Sequence, residues 1–214
     1  MKKGNCLSPH SRIQGGSLMT CAVRRAPATV LGIALLVSLP ALAQRPRQAI
    51  DLQRSTLKVF VYKSGLFSAF GHNHIIAAPI EEGWVSPNPG GVEFRVLACK
   101  LRVLDPDVDA DERAKVQATM EGPEVLDCTK FPEIRFQSTA VEPAGADQWT
   151  VRGTLLLHGQ TRPITVAVKR QGTRYVGSAG LKQRDFGMTP VSVAGGTVKV
   201  KDEVKIEFEI HLKE

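Results

Sequence analysis

The sequence predicts an all-β domain of eight antiparallel strands, with one short helical excursion between the third and the fourth. Three observations predict it. Apolar and polar residues alternate through Trp149–Lys169 and again through Lys199–Leu212, the period-2 signature of strands with one face in a core. Turn residues separate the alternating runs, as in Pro87-Asn88-Pro89-Gly90-Gly91 and around Gly159. Only Asp105–Glu121 changes character: it is acidic early, rich in helix formers after that, and stopped by Gly122-Pro123.

The domain is preceded by a segment that reads as a secretory signal, residues 1–43. Arg24 and Arg25 stand before an apolar run from Ala28 to Leu39, and Ala41-Leu42-Ala43 has the small-x-small form of a cleavage site. Cleavage is expected before Gln44, which places the chain in the periplasm or outside the cell. The run falls short of the ~20 residues that a membrane-spanning helix needs. Cys21 precedes it rather than follows it, which argues against a lipoprotein anchor. Met19 serves as a start as well as Met1 does.

The mature domain, 44–214, then runs in order. Residues 44–54 are a polar lead-in. Ser55–Lys63 is the first strand, with Leu57, Val59 and Val61 on one face and Phe60 and Tyr62 on the other. A loop bracketed by Gly65 and Gly71 presents Phe67 and Phe70. The second strand, about Asn73–Val85, contains Pro79 and so is expected at an edge or with a bulge. The third, Val92–Leu104, changes phase near Val96–Ala98, which fits a bulge or a strand covered on both faces. A helix is expected from about Asp109. Strands resume at Glu133–Val141, Gln148–His158, Arg162–Arg170, Thr173–Gln183 and Lys199–Leu212. Eight such strands close as a sandwich or a barrel, and a barrel of that size holds one small ligand.

Charge and cysteine counts change once residues 1–43 are set aside. The full chain has 28 basic and 21 acidic residues, a formal +7. Five of the basic ones (Lys2, Lys3, Arg12, Arg24, Arg25) and none of the acidic ones lie in the leader. The mature chain is therefore near +2, which does not support a nucleic-acid partner. Cys6 and Cys21 leave with the leader. Cys99 and Cys128 remain, either as a disulfide, since an exported chain meets an oxidising compartment, or as two separate thiols. No Gly-x-Ser-x-Gly elbow and no zinc-protease helix is present, so no enzyme and no catalytic residue is expected.

The ordered stretches Ile50-Asp51, Ser55-Thr56-Leu57, Lys130-Phe131-Pro132-Glu133-Ile134-Arg135-Phe136, Gly153-Thr154-Leu155, His158-Gly159-Gln160-Thr161-Arg162-Pro163-Ile164 and Arg184-Asp185-Phe186-Gly187-Met188 resemble the YceI family of exported bacterial proteins. The resemblance spans almost all of residues 50–212. It implies an eight-stranded antiparallel lipocalin-like barrel. Its apolar pore would take a long isoprenoid chain, either a polyprenyl quinone or a polyprenyl phosphate. No cofactor is required beyond such a bound lipid, and transient contact with a membrane or membrane protein is implied.

Periodicity alone does not separate a pore from a solid core; the resemblance moves the inward set toward a pore. That set is Val59, Val61, Phe94, Val96, Phe136, Leu155, Leu157, Phe186, Met188 and Phe208, with Phe67, Phe70 and Met120 at the mouth. Where many members of that family carry a basic and polar stretch, this chain has Phe70-Gly71-His72-Asn73-His74. Two histidines at i and i+2 of a strand share a face, the arrangement of a two-ligand metal site that His158 or Glu81 would complete. The competing readings for His72, His74 and His158 are hydrogen bonds to a lipid head group, or a structural role. The alternative function is therefore a metal-binding or redox-associated barrel. Oligomeric state is left open.

Overall fold

The structure, a computed structural model, describes residues 47–64, 73–87, 90–193 and 198–214. Phe67, Phe70, His72 and the 1–43 leader lie outside the described residues. Twelve strands and one α-helix occur among the described residues. The strands are β1 (Gln48–Ala49), β2 (Thr56–Ser64), β3 (His74–Ala77), β4 (Ile80–Pro87), β5 (Gly90–Leu97), β6 (Arg102–Val103), β7 (Glu133–Gly145), β8 (Gln148–Leu157), β9 (Gln160–Gln171), β10 (Arg174–Lys182), β11 (Ser192–Val193) and β12 (Val198–His211). The helix α1 is Ala110–Glu121, between β6 and β7.

The eight strands expected from alternation are all present, and the larger number has a local cause in each case. Pro79 has no N–H, so the expected 73–85 strand breaks there into β3 and β4. The phase change after Val96 is a 3₁₀ turn at Ala98–Lys100 that separates β5 from β6. The two-residue strands β1 and β11 are short additions that no alternation announces.

All strands belong to one antiparallel sheet, in the order β1-β4-β5-β7-β8-β9-β10-β12-β2-β3-β6, with β11 on β12. Its hydrogen-bond path returns on itself. Ile50 bridges Leu212, the Asp51 N–H donates to the His211 carbonyl at 2.8 Å, and the Lys213 N–H donates to the Ala49 carbonyl at 2.9 Å. Ile50 also donates to Gly83 of β4 at 2.9 Å. On the other side, β3 pairs with β2 and runs on through Ala78-Pro79 into β4. The sheet thus curls around one interior.

The interior is what the period-2 pattern demands. Val151, Leu155 and Leu157 of β8, Ile164 of β9 and Val204 and Ile210 of β12 are buried. Their polar alternates Arg152, Lys205 and Glu207 carry surface ion pairs to Glu142 and to each other. At one end lie the β7–β8 and β9–β10 turns with the termini of the domain. The other end is capped by the β5–β7 connection, which includes α1.

Helix α1 is capped by Asp109, whose carboxylate accepts from the Glu112 N–H at 2.8 Å, as the acidic start of the segment led one to expect. It buries Met120, packs Val116 half-buried against the core, and is tied to the strands by side chain–backbone bonds. The Gln117 amide accepts from the Val103 N–H and donates to the Leu101 carbonyl, both at 2.8 Å. Cys99 and Cys128 are joined in a disulfide that ties the 3₁₀ turn to the segment after α1.

Candidate functional site

The curled sheet encloses a cavity of about 400 Å³. That falls within the ~300–1,000 Å³ range of sites for small ligands. Among the described residues no side chain lining it is charged. Val59 and Val61 of β2, Phe94 and Val96 of β5, Met120 of α1, Phe136 of β7, Leu155 and Leu157 of β8, Phe208 of β12, and Met188 all line it. Phe186, placed in the same set by the sequence, is only 2 % exposed yet is not on the cavity wall. It belongs to a 3₁₀ turn, Gln183–Phe186, where the strand's period-2 phase no longer holds.

At the capped end the lining is buried, through Leu101, Met120, Leu126, Leu157 and Met188. At the hairpin end it is half-buried, through Val92, Val141, Trp149, Val168, Tyr175 and Leu212. The Trp149 and Tyr175 rings lie 6.0 Å apart there, tilted by 54°. Gln48 and Ser86 add polar groups to this rim. Phe94 and Phe136 stack at 5.5 Å in the wall between the two ends.

The wall is thinned where aromatic rings lie on it. The Phe136 ring covers Gly153 of β8, and the Phe208 ring covers Gly177 of β10. A side chain at either glycine would force its ring off the sheet and into the interior.

Near the hairpin end Glu209 is held by two partners. Arg174 donates to Glu209 at 3.0 Å, and Glu209 also faces His211 Nε2 at 3.0 Å. The hydrogen bond from His211, helped by Arg174, holds the Glu209 carboxyl below the usual carboxylate range.

Of the candidate histidines, His74 and His158 are among the described residues, and each has its own partner. His74 Nδ1 lies 2.7 Å from the Asp105 carboxylate, whose other oxygen accepts from the Ile75 N–H at 2.7 Å. His158 sits in the β8–β9 turn at φ 49°, against the Phe131 ring at 4.4 Å and 3.1 Å from the Phe186 carbonyl. Glu81 is taken by Lys100 at 2.8 Å. Among the described residues no three His, Cys, Asp or Glu side chains form a cluster able to hold a metal ion.

Sequence reading missed two features of this region. Asp105 read as part of the acidic helix start, yet its side chain is 1 % exposed and organises His74 and β3. Gln183 read as the last residue of the Thr173–Gln183 strand with no role in the site, yet it lines the cavity. Its signal was parity: it continues the inward series Ala179, Leu181 of β10.

Comparison with known proteins gives a consistent result. A family model described as YceI-like domain matches residues 50–212. A UPF0312 protein of Vibrio cholerae is 24% identical over 195 residues, covering 83% of this chain and 94% of that protein. A UPF0312 protein of Pseudomonas savastanoi is 36% identical over 73 residues, covering 29% of this chain and 38% of that protein. Among solved structures, Burkholderia cenocepacia BcnA matches with a TM-score of 0.54 at 19% identity, covering 75% of this chain and 98% of that one. That likeness is one of fold.

Proposed function

Because this chain belongs to the YceI-like family through residues 50–212, we propose that it is a binding protein, not an enzyme, that holds an isoprenoid-type lipid in a lipocalin-like barrel. The ligand class is a polyprenyl quinone or a polyprenyl phosphate, and the protein acts as its carrier or store. The observation that carries this reading is the cavity itself: about 400 Å³, apolar, and, among the described residues, without a charged side chain in its lining. An apolar chain buried there leaves no charge and few polar groups unpaired, which is the condition for favourable transfer from water.

The half-buried hairpin end, with Trp149, Tyr175, Gln48 and Ser86, is the side from which a lipid would enter and leave. Residues 1–43 would direct the chain across a membrane, so that loading takes place in the periplasm or outside the cell through transient contact with a membrane or a membrane protein. Neither metal nor cofactor is needed for such a role.

Native mass spectrometry on protein recovered from a bacterial periplasm tests this, with metal analysis on the same sample. The reading requires a lipid-sized added mass that leaves with organic solvent and has an isoprenoid fragmentation pattern. A bare chain that also fails to take up added prenyl lipid would refute it.

A further inference from the structure

At the capped end of the cavity one polar side chain, Gln183, stands in an otherwise apolar lining. Gln183 follows β10 directly, is 6 % exposed, and lines the capped end of the cavity. Its Nε2 donates to the Lys201 carbonyl at 2.8 Å. Lys201 lies in the bulge of β12, where the ladder to β2 shifts register between Val200 and Val204. A carbonyl only accepts, so the amide nitrogen must face Lys201 and the amide's orientation is fixed. Oε1 is thereby turned away from Lys201, and among the described residues no donor bonds to it.

The base of the side chain is pinned as well. The Met188 N–H donates to the Gln183 carbonyl at 3.2 Å, and the Arg184 N–H donates to the Asp202 carboxylate at 3.0 Å. Gly187, at φ 76°, closes the turn in a conformation that side chains rarely adopt. The acceptor is therefore preorganised in an apolar enclosure, where leaving it unpaired is unfavourable.

We propose that Gln183 is a specificity residue of the cavity: Oε1 accepts a hydrogen bond from a hydroxyl on the lipid. This rests on the lipid-carrier reading above and narrows it. The ligand is then a neutral isoprenoid with a hydroxyl head, an alcohol or a hydroquinone. A phosphate would bring charge into a lining that offers no cation among the described residues. A quinone carbonyl would set acceptor against acceptor, and a plain hydrocarbon leaves Oε1 unfilled.

The test uses delipidated whole protein and competition against a fluorescent lipid, with geranylgeraniol, the matching C20 hydrocarbon, geranylgeranyl phosphate, and a prenylated hydroquinone with its oxidised quinone as probes. Wild type is expected to bind the alcohol about tenfold tighter than the hydrocarbon, the effect of one buried hydrogen bond. The hydroquinone is expected to bind tighter than its quinone. Gln183→Leu and Gln183→Met, the latter keeping an unbranched chain, are expected to lose both preferences while still binding the hydrocarbon. Tyr175→Phe removes the hydroxyl at the far end; loss of the preferences there, with both Gln183 variants keeping them, overturns the proposal. Whichever of alcohol and hydroquinone binds tighter names the source of the hydroxyl.

Equal binding of alcohol and hydrocarbon by wild type overturns the proposal, as does a preference for the phosphate or one that survives in both Gln183 variants; hydrocarbon binding then leaves the carrier reading standing. If folded wild type binds none of the probes, the carrier reading fails and this inference fails with it. Should neither Gln183 variant fold, the wild-type preference together with its loss or survival in Tyr175→Phe decides which end holds the hydroxyl.

Discussion

The ring of Phe136 lies across Gly153 of the neighbouring strand, so close that a Cβ on Gly153 would stand 2.6 Å from its Cε2 and Cζ atoms. The same Cβ would meet the Gln137 carbonyl at 2.5 Å. Glycine is therefore needed at this point of the wall to let the ring lie flat. Gly153→Ala is expected to destabilise the fold by about 1–3 kcal/mol, the usual cost of overpacking. Thermal denaturation reads this at about 2–4 °C for each kcal/mol. Adding Phe136→Leu should recover part of the loss; no recovery would separate the glycine from the ring.

Ala179 lines the cavity between Gly177 and Leu181 of β10 and pairs with Ile206 of β12. Ala179→Trp would direct a large apolar side chain into empty space. Its folding stability is expected to stay near that of wild type, because the bulk fills a void instead of displacing packed atoms. Uptake of prenyl lipid is expected to fall at least about tenfold, a loss of about 1.4 kcal/mol. Unchanged uptake at unchanged stability would place the lipid elsewhere.

The disulfide between Cys99 and Cys128 closes a loop with a sequence separation of 29. In the chain-entropy account, a loop of this size contributes roughly 3–4 kcal/mol by restricting the unfolded chain. Cys99→Ser with Cys128→Ser should lower the denaturation midpoint accordingly, and reductant should bring wild type to the same value. Alkylation of the unreduced, unfolded protein followed by intact-mass measurement should find neither thiol free.

Glu209 is held below the usual carboxylate range, first by its hydrogen bond to His211 and then by Arg174. A carboxyl lower in the folded than in the unfolded chain contributes stability above the unfolded value and loses it as pH falls through the folded one. The gap in Tm between wild type and Glu209→Gln is therefore expected at neutral pH and should close from about pH 4.3 downward. A pH series of thermal melts checks it. A gap unchanged through acid would assign the effect to geometry instead of charge.

Much of this architecture was legible in residue order. Val204, Ile206, Phe208, Ile210 and Leu212 announced an inward face by strict alternation, and all five line the cavity. Asp109 announced the start of α1 through its acceptor side chain and the acids that follow. The strand β1 was illegible because its pairing partners, Val85 and Trp84, are far away in sequence and two residues are too few for a pattern. The disulfide stayed open because spacing in sequence does not fix the distance between Cα atoms, which is 5.2 Å here. The cavity was illegible for a different reason: Leu155 alternates in the same way whether its neighbours meet it or leave a gap. Gln183 was hidden because a glutamine at the end of a strand usually faces water.

The seam of the curled sheet also governs when the interior can exist. Strand β12 lies between β10 and β2, and the residues that follow it clasp Ala49–Asp51. Its 14 residues come at the end of the domain, while its partners on one side come at the beginning. Until those last residues are present, β2 and β10 are open edges and the apolar faces of all the other strands look outward to solvent. Pairing across so long a stretch of chain is slow compared with hairpin formation. A chain shortened before Val198 would therefore expose unpaired strands prone to self-association, with no partial vessel able to hold a ligand.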